Sequence, residues 1–258
     1  PVLLSNNMRT LAFASIGSAL QYTAVKKDWR FGEKFPYDAS DFDRIDQVID
    51  TQFYSVSRFV KHIDDNAINA LTEHYRNILR PKDEVLDLCS SWISHLPQEI
   101  ELDRVFAIGL NAEELAANKR ANGNFLVRDL NLEPELPFPD NSFDKVFMVV
   151  SVDYLTQPLQ VFEEIYRVLK HDGLACISFS NRCFPTKAIQ RWLQSDMSGR
   201  IDIVANYFHF SAPWSQIIAY DLIPASSTSP FFNPLNFFLN NILKQPSDPM
   251  VVVQALKS

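Results

Sequence analysis

The sequence predicts an α/β domain on a mostly parallel sheet with helices on both faces, and two observations predict it. Short apolar runs, "EVLDLC", "RVFAIGL", "NFLVRDL", "KVFMVVSV" and "LACISFS", recur with amphipathic segments between them, as parallel pairing requires when each crossover returns the chain to the same end of the sheet. The runs are apolar at successive positions and not at every second one, so both faces of these strands should be buried. At 258 residues, 47% hydrophobic and 21% charged, the chain suits one such domain with additions.

Taken in order, residues 1 to 27 hold Arg9, Lys26 and Lys27 but no acid, with Ser5, Thr10, Ser15, Ser18 and Thr23 among small and apolar residues. That is the pattern of an organelle transit remnant. The uncharged run Leu11 to Val25 is shorter than the roughly 20 residues that span a bilayer, so no transmembrane segment is expected. Residues 1–50 read as an N-terminal arm that either packs on the domain or contacts a membrane surface or a partner. The domain proper is expected over 51–258.

From Asp41 to Asp65 the chain is charged and aromatic, densest in "FYSVSRFVKHIDD". Asp64 or Asp65 caps a helix with Ile68, Leu71, Tyr75 and Ile78 on one face, stopped by Pro81. After the first strands, "AEELAANKR" and "QPLQVFEEIYRVLKHDG" read as helices. In the second, Thr156 and Pro158 mark the start, Phe162, Ile165, Tyr166 and Leu169 the buried stripe, and Gly173 the stop. A helix near Thr186 to Leu193 and two strands, "SQIIAYDLIP" and "MVVVQALK", complete the chain. Between those strands lies an insertion at about 225–248, too long for a hairpin turn. Asn233 and Pro234 start a helix there, with Leu235, Phe238, Leu239 and Ile242 at helical spacing. Phe231, Phe232, Phe237 and Phe238 exceed what one amphipathic face needs, so this insertion either contacts a partner or packs on the sheet edge.

A formal charge of −7 argues against nucleic acid, whose binders need a basic face. Cys89, Cys176 and Cys183 lack CxxC spacing, so reduced thiols in an intracellular compartment are expected and no metal site. Glycine is scarce, six residues in the chain, which limits loops that must approach a phosphate or ribose.

The block "LPFPDNSFDKVFMVVSVDYLTQPLQVFEEIYRVLKHDGLACISFSN" resembles class I S-adenosylmethionine-dependent methyltransferases of the type 11 kind, and the order of elements from about Gln52 onward fits them. A closer resemblance is to a bacterial, algal and plant subgroup that shares the segment Phe53 to Asp64, the "SSWISHLP" loop Ser90 to Pro97, "NAEELA" from Asn111 to Ala116 and "FSNRCFPTKA" from Phe179 to Ala188. The resemblance implies a Rossmann-like methyltransferase fold with seven strands, the last antiparallel, S-adenosylmethionine as cofactor and a small-molecule acceptor. The subgroup's algal and plant members, with the acid-poor N-terminus, lead us to expect a plastid, the cytoplasm being the alternative.

The resemblance places cofactor contacts at Asp87, Cys89, Ser90, Ser91, Trp92, Gly109, Leu110, Asp129, Leu130 and Ser151. Two of the three principal contacts depart from the family. Glycines of the first motif are replaced by Cys89, Ser91 and Ile93, whose side chains would occupy cofactor space, and the acid that holds the ribose is replaced by Gly109. Glu113 or Glu114 is a substitute, and Asp129 keeps the adenine contact. Trp92 is expected in or beside the cleft, filling space the glycines left. These departures imply weak or absent cofactor binding. Catalytic candidates are Asp153 and Tyr154 after the fourth strand, His62 as a base, and His95 with Asp87 and Ser90 or Ser91 as a nucleophile set; structural roles for each stay open. Two functions therefore remain: a methyltransferase, or a non-catalytic binding or structural subunit on that fold, within a plastid complex and docked through the insertion or the arm.

Overall fold

The computed structural model describes residues 23–222 and 247–258. The run Leu11 to Val25, apart from its last residues, and nearly all of the insertion lie outside them. Strands β1 (Thr23–Lys26), β2 (Glu84–Leu88), β3 (Arg104–Gly109), β4 (Phe125–Val127), β5 (Phe143–Val149), β6 (Leu169–Phe179), β7 (Trp214–Asp221) and β8 (Val251–Lys257) form one sheet in the order β1-β7-β8-β6-β5-β2-β3-β4. Strands β2 to β6 pair in parallel, while β8 runs antiparallel between β6 and β7. Those seven strands have the expected form. An eighth, β1, pairs antiparallel with β7 at the edge, where a four-residue strand ending in a lysine carries no strand signal of its own.

The helices are α1 (Asp50–Phe53), α2 (Asp65–Ile78), α3 (Ala112–Ala117), α4 (Pro158–Val168), α5 (Gln190–Leu193) and α6 (Met197–Ser211). Asp64 caps α2 by accepting from the Ala67 amide at 2.8 Å, and Asn111 caps α3 through the Glu113 and Glu114 amides, so both helices start where a short acceptor side chain can meet free N–H groups. Helix α4 ends at Val168, not at Gly173, because Leu169 turns extended and pairs with Phe143. Gly173 is required within β6, where a Cβ would lie 2.7 Å from the Lys170 carbonyl. The sequence reading missed α6, which buries Ile201, Ile203, Val204, Ala205, Tyr207 and Phe208 and so lacks the one-sided stripe that reveals a surface helix.

The larger core cluster joins β5, β6, β8, α4 and α6. Trp29, Phe31, Phe35, Tyr37 and Phe42 of the N-terminal segment pack against it. Among the described residues no helix is long and apolar enough to cross a membrane.

Candidate active site

Strands β2 and β5 are neighbours whose chain connections run to opposite sides, which leaves a crevice beyond their C-terminal ends. A cleft of about 560 Å³ lies there, a size that suits a small-molecule site. One wall is the glycine-free loop after β2. Cys89 and His95 adopt φ of 52° and 49°, a left-handed conformation uncommon for side-chain-bearing residues, and the loop between them is held by polar bonds. The Ser90 hydroxyl donates to Asp87 Oδ2 at 2.6 Å, and the Asn118 amide donates to the Ser91 carbonyl at 2.9 Å and Ser94 Oγ at 2.7 Å. The Ser90 amide donates to the Ile108 carbonyl at 2.7 Å, so the loop leans over the end of β3. A Cβ at Gly109 would lie 2.2 Å from the Ser90 carbonyl oxygen. Glycine is therefore forced at the position where the family resemblance leads one to expect an acid.

The opposite wall comes from residues 50–63 and the segment after β6. Buried Asp50 accepts from Arg44 Nη1 with both oxygens, at 2.9 and 2.8 Å, and from Asn131 Nδ2 at 2.8 Å, and lies 3.3 Å from Lys187 Nζ. The same Asn131 amide donates to the Tyr154 carbonyl at 2.9 Å. The Tyr154 hydroxyl accepts from the Phe184 amide at 2.8 Å. These bonds tie α1, the turn after β4 and the turn after β5 into one rim.

Burial sets the protonation of this site. It holds the Cys89 thiol up at about 12, reinforced by Asp87 and Asp129, so Cys89 is a neutral, unreactive thiol. Desolvation lowers His95 to about 4 and lowers His62, leaving both imidazoles neutral at neutral pH. Asp87 is raised to about 6 by burial against the opposing hydroxyls of Ser90 and Ser94. Asp129 is raised by burial, opposed by the Asn131 amide that it accepts at 2.9 Å.

Residues 89–177 match the methyltransferase-domain family that carries the type 11 label. The demethylmenaquinone methyltransferase of Listeria welshimeri is 50% identical over 52 residues, 20% of this chain and 22% of that one. The match thus spans about a fifth of that relative. The phosphoethanolamine N-methyltransferase 2 of Haemonchus contortus, solved with S-adenosyl-L-methionine, superposes with a TM-score of 0.50 at 17% identity, over 75% of this chain and 52% of that chain. The same enzyme solved with phosphomonomethylethanolamine and S-adenosylhomocysteine gives the same score and coverage. Residues 89–177 thus match a methyltransferase domain, and the fold is shared with S-adenosylmethionine-dependent methyltransferases.

Asp87, Cys89, Ser90, Ser91, Gly109, Leu110, Asp129, Leu130 and Ser151 all line the cleft, as do Tyr154, His62 and His95. Trp92 does not. Its indole donates to the Val60 carbonyl at 3.1 Å and its ring meets Phe59 edge-on, outside the cleft, because the bonds to Asp87 and Asn118 turn residue 92 outward. Asp153 is likewise absent from the wall: it is buried in a short turn, and burial pushes its carboxyl up to about 7. The nucleophile set is not assembled either, since Ser90 bonds Asp87 and Ser91 bonds Glu114 Oε2 at 2.7 Å. Nor do Cys89, Ser91 and Ile93 close the space; they line it. Of the two substitutes considered for the lost acid, Glu114 lines the cleft, while Glu113 accepts from Ser57. Sequence reasoning missed Asp50, Arg58, Asn131 and Phe184. Of these, Arg58 stood within the aromatic segment before α2, but nothing local joins Asp50 to Lys187.

Proposed function

We propose that the chain binds S-adenosylmethionine in this cleft and transfers its methyl group to a small-molecule acceptor. The observation that carries this reading is the open cleft at the strand switch point with Asp129 in its wall. The donor set fits such a cofactor. Asp129 and Leu130 suit the adenine end, where a carboxylate oxygen accepts the exocyclic amino group. The Asp87 to Ser91 loop suits the methionine end, and Glu114 is the carboxylate left to serve a ribose. Bound there, the cofactor supplies an electrophilic methyl group. The protein's own task is positioning, with neutral His62 available to take a proton from an acceptor that must lose one.

The test is a thermal melt with S-adenosylmethionine or S-adenosylhomocysteine. A ligand of the native state at a hundredfold excess over its dissociation constant adds about 2.7 kcal/mol, so a rise of several degrees is expected. Asp129→Ala should abolish it. A non-catalytic role on the same fold is the second reading, favoured by the Ser90 carbonyl where the ribose acid would project from residue 109. An unchanged melt at millimolar cofactor would select that reading.

A further inference from the structure

The cationic side chains that line the cleft are not equivalent. Lys61 pairs with Asp65 at 2.6 Å, Arg128 with Glu133 at 3.2 Å and Arg182 with Asp248 at 2.7 Å. The Arg58 guanidinium forms no ion pair among the described residues, although the Arg58 backbone amide donates to Glu114 Oε1 at 2.6 Å. Its guanidinium lies over the rings of Phe53, Tyr54 and Phe184, at 4.7, 5.7 and 5.8 Å from their centroids. Nη2 donates to the Phe53 carbonyl at 3.0 Å, while Nη1 is buried without a hydrogen-bond partner.

An unpaired buried donor on a charged group is costly, because it has lost water and gained nothing. Here the group is also fixed in place: the rings favour the cation over their faces, and the Phe53 carbonyl sets the rotation of the fork. A rigid guanidinium without an ion partner in the wall of a cavity suits an oxyanion, and a planar carboxylate best. The neighbours describe the rest of the ligand. The Phe184 ring lies 6.2 Å from that of Tyr154, in the turn after β5, and 5.7 Å from the His62 imidazole. Tyr54, Tyr154 and Phe184 line the same cleft and form an aromatic wall, against which a flat, apolar body lies.

We propose that the methyl acceptor is a planar organic carboxylate, its carboxylate drawn by the unpaired guanidinium of Arg58 and its body laid against Tyr54, Tyr154 and Phe184. This rests on reading the cleft as a methyl-transfer site. The cofactor's methionine end also carries a carboxylate, so the test must separate the two sources.

Benzoate and benzamide, alike in shape and different in charge, are titrated calorimetrically into the full chain with and without saturating S-adenosylhomocysteine. Benzoate is expected to bind about tenfold more tightly than benzamide in both conditions, since hydrogen bonds to a charged group are worth about 1.5–3 kcal/mol. Arg58→Gln should remove that preference with little change in S-adenosylhomocysteine affinity, and Arg58→Lys should restore part of it. The wild-type comparison stands even if a variant fails to fold. Equal binding of the two probes overturns the proposal. So does displacement of benzoate by S-adenosylhomocysteine, or an Arg58→Gln variant that loses that ligand and keeps the benzoate preference, because Arg58 would then hold the cofactor's carboxylate. If S-adenosylhomocysteine does not bind at all while benzoate is still preferred, the methyl-transfer reading and the acceptor assignment fall together, and Arg58 is an anion site of a binding protein.

Discussion

Gly109 shows how one residue records a rebuilt loop. Its hydrogen faces the Ser90 carbonyl at a separation no Cβ could occupy, so the missing acid and the missing glycines of the first motif are one structural change. Asp153 states a second residue-scale consequence, in the pH dependence of stability. Burial raises its carboxyl from the ordinary 3.8 to about 7, and raises Asp87 to about 6. The folded chain therefore holds more protons than the unfolded chain between about pH 4 and 7. Stability from these groups is complete below about pH 4 and is lost as pH rises through 7. Asp153→Asn should flatten the fall, recovering on the order of 2 kcal/mol at pH 8 relative to pH 5. Urea denaturation of both proteins across that range measures it, and parallel curves would reject the assignment.

Among the elements, the wall opposite the loop depends on a cluster that no local motif announces. Lys187 is fully buried and lies 3.3 Å from both Asp46 and Asp50, donating also to the Val48 carbonyl. It thereby clamps the segment before α1 to the segment before α5, where Arg44 and Ile189 form a bridge. Lys187→Met leaves Asp50 with less compensation in a buried site, a change that costs about 3 kcal/mol when one partner of such a pair is removed. A matching drop in the denaturation midpoint is expected, with a weaker ligand response because α1 carries Asp50 into the cleft. An unchanged midpoint would mean that the clamp carries no net stability. Elements with their own period were legible: α2 and α4 through one-sided stripes, β2 to β6 through continuous apolar runs. Helix α6 was not, since burial all round erases its stripe, and neither was β1, whose pairing is supplied by the edge of β7.

At the scale of the molecule, the N-terminal segment is part of the packing. Trp29 donates its indole N–H to the Ile217 carbonyl at 2.7 Å, Phe31 stacks on His209 with centroids 3.9 Å apart, and Phe35 meets Phe210 edge-on. The resemblance begins only near Gln52, and residues 1–50 read as an arm that either packs on the domain or contacts a membrane surface or a partner; an arm that only made outside contacts could be lost with little effect on stability. The packing leads to the opposite expectation for residues 23–37. Their removal takes away a sheet edge and the side chains of Trp29, Phe31, Phe35 and Tyr37, and should lower the melting temperature by about 10 °C or more. A drop of only a few degrees would return the segment to the role of a tether.

By itself the sequence determined the class of sheet, most of its strands and the region of the cleft. Apolar periodicity and the block around β5 to β6 are local quantities that survive without neighbours. It also pointed to Asp129, through the family resemblance and not through any local period. What only tertiary structure decided is the state of the cleft. Substituted side chains in a motif say that a backbone path has changed, but not where the new path sends them. Asp87 and Asn118, 31 positions apart in the chain, hold the loop so that Trp92 turns outward and the cavity stays open. The unpaired guanidinium of Arg58 is of the same kind: a charge is paired or unpaired according to what the fold brings near it, and no spacing along the chain can state that.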